Sequence, residues 1–291
     1  MTMEPQPPGA LTGVALLGWM EREQAIRFLT EDCLFEPPLT AIAAEALWRE
    51  WRDRAAALPQ RSAPVELFPL TGADQEHAAR FAQYLASVGA PASQVVKVDP
   101  LQLVVAQYHV ATERAGEYAA HCASDPDWRD LALPLALGNP ELKMNFARRN
   151  FDTDIDIDLP HSEFIFGVHP HGGFGPRELL PYVSAMRIGD RLLLGKGYHR
   201  LYARVSMTEG KLPGRLSLLA LDSGTLAPPA GSAETGLDIF GSRPALFADF
   251  FTEDLAMPVY LRRKRYSLEV KARLVARYDV ARYDTGSVEL Q

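Results

Sequence analysis

An α+β fold is the expectation, with a helical N-terminal half followed by a mixed α/β C-terminal half. Three observations predict it. Apolar residues recur at helical spacing in the segments before residue 90, short β-like runs divided by Gly, Pro and Asp dominate after residue 150, and the two patterns are segregated along the chain. The chain has 291 residues, which suits one large domain or two modest ones with ample core. It is 47% hydrophobic and 23% charged, as an ordinary globular protein is. A net charge of −7 excludes a global field favouring nucleic acid, so DNA binding would need a local basic patch.

Residues 1–12, "MTMEPQPPGALT", read as a Pro-rich disordered leader. The mainly helical region then spans 13–137. "LGWMEREQAIRFLT" carries helical spacing, and "LTAIAAEALWREWRDRAAALP" repeats it with Thr40 as N-cap and Pro59 as stop. Trp48 and Trp51 lie three apart, hence on one face, and read as core. "GADQEHAARFAQYLASVG" is a third helix ending at Gly89. "SQVVKVDP" reads as a short strand, and "LQLVVAQYHVATERAGEYAAHC" as helical over most of its length. Within it "ATERAGEY" reads as a solvated helix surface, and His77, His109 and His121 as structural.

An α+β domain is expected over 138–291, or continuously from 94. "TDIDIDL" alternates polar and apolar residues as a strand does, and its carboxylates read as a solvated face. "SEFIFGV", "YVSAMRIG", "RLLLG" and "RLSLLALD" follow as strands. "MPVYLRRKRYSLEVKARLVAR" reads as a hairpin with "RRKR" at its tip, and "ALFADFF" as a short helix before it. "SGTLAPPAGSAETGLDIFGSRP" reads as a surface loop.

The start of the chain has no basic n-region or apolar h-region, so no secretory signal is expected, and no apolar run approaches a membrane span. Cys33 and Cys122 lie far apart and form no metal pattern. Two reduced core thiols in a cytoplasmic protein is the expectation.

Chemistry concentrates in two stretches. In "GKGYHRLYARV" a strand hands over to a helix between Gly195 and Gly197, which supply a permissive backbone for a sharp turn. The first turn of a helix carries unpaired N–H groups and partial positive charge. Lys196, His199 and Arg200 add cationic or titratable side chains there, forming a concavity for a phosphate or carboxylate. The competing reading pairs His199 and Arg200 with nearby carboxylates such as those of "DTDIDID".

Residues 190–219, "DRLLLGKGYHRLYARVSMTEGKLPGRLSLL", resemble the motif region of the ParB/sulfiredoxin-like superfamily, where a strand leads into a Gly-x-[His/Arg]-Arg box, a helix and a return strand. "VVKVDPLQLVVAQ" is similar to that family's opening strand and helix. The box here is Gly197-Tyr198-His199-Arg200. The resemblance implies a ligand-binding turn built from Gly195, Lys196, Gly197, Tyr198 and Arg200, with a nucleotide among the candidate ligands. Tyr198 stands where sulfiredoxins carry their cysteine nucleophile, so that chemistry is excluded by residue type. No helix-turn-helix pattern follows the box, so operator binding in the ParB manner is not expected.

The second stretch, "FGVHPHGGFGP", places His169 and His171 two apart, on one face of a strand. It is similar to the histidine motif of diacylglycerol acyltransferase-type enzymes, which also carry membrane-anchoring segments that are not seen here. A zinc site would need a further ligand from Asp152, Asp154, Asp156, His161 or His199, and no HExxH or CxxC pattern supplies one. No metal is therefore expected, and the sequence leaves any cofactor open. The remaining readings are a loop closing over the Gly-Tyr-His-Arg turn, with His169, His171 and Arg177 adding donors, and a turn whose histidines bond backbone carbonyls.

The functional expectation is binding of a small anionic or phosphorylated ligand. If there is catalysis, phosphoryl transfer or hydrolysis is its class, with His169, His171 and His199 as acid–base candidates. The alternatives are a non-enzymatic sensing or assembly module and a nucleic-acid-processing protein, the latter resting on fold analogy and "RRKR".

Overall fold

The computed structural model describes residues 9–61, 64–87, 93–124, 143–149, 152–159, 164–168, 174–178, 182–212, 214–227, 236–263 and 266–273. The chain divides into two compact units, one of residues 1–137 and 180–263, the other of 138–179 and 264–291. The sequence-based expectation is a helical region over 13–137 and one domain over 138–291; in this division residues 180–263 belong to the first unit. Helices and strands occur together, as an α+β chain requires.

In the first unit the strands are β1 (Ala10–Ala15), β2 (Leu67–Phe68), β3 (Ser93–Val98), β4 (Val104–Val105), β5 (His109–Ala111), β10 (Ser184–Ile188), β11 (Arg191–Lys196), β12 (Ser217–Thr225) and β13 (Met257–Arg262). The helices are α1 (Arg22–Arg27), α2 (Ala41–Ala56), α3 (Ala73–Ser87), α4 (Thr112–Ser124) and α5 (Tyr198–Met207). Among the described residues, the region expected to be mainly helical thus also supplies β1 to β5. The last residues of the expected leader belong to β1, which is paired on both sides, by β13 and β5. The stretch expected to be helical from Leu101 is instead a 3-10 turn, β4 and β5 before α4 begins.

The larger sheet has the order β2-β3-β12-β10-β11-β4. Its central strand β12 carries a near-continuous apolar run because both its faces are covered. Leu218 and Ala220 pack with Phe81 and Leu85 of α3, whereas Leu219 and Leu221 join Tyr198, Leu201 and Val205 of α5. In β11, Leu192 and Leu194 enter that same core, and Leu193 packs on the other face with Val104 and Ile188. Thr40 caps α2 as expected, its hydroxyl accepting from the Ala43 N–H at 3.2 Å. Trp51 is buried in the core, and Trp48 donates its indole N–H to the Met20 carbonyl at 3.0 Å.

Three buried carboxylates tie distant segments together. Asp99 accepts from Arg215 at 2.9 and 2.6 Å, Asp74 from Lys97 at 2.7 Å, and Asp249 from Arg61 at 2.5 Å. Cys33 is a free, buried thiol, and burial pushes its pKa up to about 12. Among the described residues, no helix is long and apolar enough to cross a membrane.

In the second unit, β6 (Lys143–Arg149), β7 (Asp152–Leu159) and β14 (Tyr266–Arg273) form an antiparallel sheet with β7 in the middle. β8 (Phe164–Val168) pairs with β9 (Phe174–Glu178). Asp152 stands in register with both Arg149 and Arg273, and Asp154 with Lys271. Asp158 stands opposite Lys143, whereas Asp156 stands opposite Asn145 and Glu269. Three of the four aspartates of β7 thus have a basic position across the ladder, which favours this register, and one has an acidic one. Among the described residues, the two strands expected to form a hairpin around "RRKR" have other partners. β13 pairs with β1 and β14 with β7, and the division between the units falls between residues 263 and 264.

Candidate functional site

β11 ends at Lys196, and α5 begins at Tyr198. Between them Gly197 adopts φ +95°, the left-handed region that favours glycine, and serves as the N-cap of α5 with no side-chain cap. A Cβ at this position would stand 2.7 Å from Val183 Cγ2 and 2.9 Å from its Cα. The first turn of α5 holds no acidic residue. The strand-to-helix turn expected from the two glycines is therefore present.

The side chains of the box divide in an order the sequence does not show. Lys196 is exposed, its Nζ 5.9 Å from the centre of the Tyr182 ring. Tyr198 points inward. Its hydroxyl donates to the Leu194 carbonyl at 2.8 Å and accepts from the Ala106 and Gln107 N–H groups at 3.1 and 3.2 Å. β4 and β11 run parallel, with Leu194 opposite Val105, so this hydroxyl joins the two strands where their ladder ends. Tyr198, expected among the ligand-binding residues, thus clamps the turn to β4, with these three hydroxyl bonds made within the protein.

Replacing Tyr198 by Phe should leave the N–H groups of exposed Ala106 and half-buried Gln107, and the Leu194 carbonyl, without this partner, at a cost of about 0.5–1.5 kcal/mol. Amide hydrogen exchange at Ala106 and Gln107 should accelerate in the variant. Unchanged exchange at both amides would remove the clamp.

His199 accepts the Ala111 N–H on Nε2 at 3.3 Å, where β5 passes into α4. Burial lowers its pKa to about 3, with the charges of Arg114 and His109 adding to the effect. A neutral imidazole that already accepts a backbone bond is not poised for acid–base work near neutral pH. His199, expected among the acid–base candidates, holds the start of α4 through this bond.

The pH dependence follows in sign. An unfolded imidazole titrates near 6.5 and the folded one near 3, so between these values the unfolded chain binds more protons. The contribution of His199 is fully present above about pH 6.5 and is lost as pH falls towards 3. His199→Gln should remove up to ~1.4 kcal/mol per pH unit from the slope of stability in that window. Urea unfolding across the pH series measures it, and an identical slope in both proteins would refute the assignment.

Arg200 is 2% exposed, and its guanidinium lies 5.2 Å from the centre of the Tyr118 ring on α4. Such a cation–π pair is favoured where the cation is desolvated. Arg200 sits behind the turn, not at its mouth. "ATERAGEY" is likewise not a fully solvated surface, because Ala115 and Tyr118 pack with Ala203 of α5. Ala115, Tyr118 and Ala119 stand at i, i+3 and i+4, a weak apolar stripe that reveals this face in retrospect.

Arg114, on the first turn of α4, completes the electrostatics. Among the described residues, neither Lys196 nor Arg114 has a carboxylate within ion-pair distance, whereas Glu113 meets Arg263 at 3.2 Å. Gly195, in β11, passes close to Ser184, whose Oγ would stand 3.3 Å from a Cβ there. Of the other expected residues, His169 and His171 lie outside the described residues. Arg177 lies in β9 of the second unit, while the Gly-Tyr-His-Arg turn belongs to the first.

No family model, no curated protein and no solved structure matches the chain.

Proposed function

We propose that this protein binds a small anion, a phosphate or phosphorylated ligand, at the N-terminus of α5. One observation carries the reading. α5 starts at a left-handed glycine with no side-chain cap and no acid in its first turn, and Lys196 stands exposed beside it. The helix end contributes partial positive charge and N–H donors, and the exposed ammonium adds a mobile charge. Arg114, at the start of the neighbouring α4, and the buried Arg200 add positive potential with the same sign.

In this reading the box residues serve different parts of one site. Lys196 and the backbone around Gly197 meet the ligand, while Tyr198, His199 and Arg200 hold the turn against β4, Ala111 and α4. The order β11, box, α5, β12 also supports the resemblance to the ParB/sulfiredoxin-like superfamily. The bonded, neutral His199 favours a binding or sensing module over an enzyme using that imidazole. A reducing, cytoplasmic location fits the free thiol of Cys33.

Titration calorimetry with inorganic phosphate, sulfate and a nucleotide panel at low ionic strength tests the proposal. Binding should weaken as salt rises. Lys196→Ala should cost about 1.5 kcal/mol, roughly tenfold in affinity, and Arg114→Ala should weaken binding by a smaller factor through its longer-range field. Absence of any binding by the unaltered protein, or equal affinity in the double variant, would overturn it.

A further inference from the structure

We draw no further inference here: the strongest candidate, the shelf formed by Lys196 and the Tyr182 ring beside the N-terminus of α5, belongs to the site already described.

Discussion

Gly197→Ala should destabilise the first unit by about 3 kcal/mol and abolish anion binding together with it. Two costs add. A residue with a Cβ forced into the left-handed region loses roughly 1–2 kcal/mol. The new methyl would also meet Val183 at 2.7 Å and 2.9 Å, the second contact being to a backbone atom. A side chain could rotate away, but Val183 Cα cannot move without shifting the start of β10, and such overpacking costs about 1–3 kcal/mol more. The turn also sets where Tyr198 points, so its bonds to Leu194, Ala106 and Gln107 should loosen with it. Denaturant unfolding measures the stability loss, and phosphate titration of the folded fraction measures the binding. A variant as stable as the parent would show that the turn does not hold the left-handed conformation.

The local parts of this fold were legible in the sequence, and the long-range parts were not. Thr40, the glycine bracket around Lys196 and the apolar run of β12 each act within a few residues, and each is where its pattern predicts. The hairpin expected around "RRKR" rests on a pattern of the same kind, and among the described residues its strands have other partners. β13 and β14 alternate well, but their partners are β1 and β7, far away along the chain. Alternation marks a strand and names no partner. The return of residues 180–263 to the first unit was illegible for the same reason.

The site followed this division. Its glycines could be read because backbone conformation is a local demand. Its cationic first turn reads as a solvent-facing cluster, yet α4 covers Arg200, and the Ala111 N–H engages His199. What decides between contact with ligand and contact with protein is the docking of α4. That docking rests on Ala115, Tyr118 and Ala203, residues too small or too amphipathic to give a strong apolar signal.

Arg200→Ala should lower stability. The helix dipole opposes a cation in the first turn by only about 0.3–1 kcal/mol, so its relief on truncation is small. At 2% exposure the packing loss is the larger effect. Truncating a fully buried long side chain leaves a cavity costing about 2–5 kcal/mol, and the contact with the face of Tyr118 is lost as well. Relief of the buried charge offsets part of this. The net expectation is a loss of about 2–4 kcal/mol, a fall in Tm of roughly 5–15 °C for a unit of this size. Arg200→Met separates packing from charge, because it fills most of the space without the guanidinium. It should keep most of the stability and still weaken phosphate binding, since the positive potential behind the turn is gone. Thermal melting of both variants, with phosphate titration of Arg200→Met, tests the argument. An Ala variant melting with the parent would show that α4 does not hold Arg200 buried. A Met variant with full stability and full affinity would leave Arg200 a packing residue with no part in the anion site.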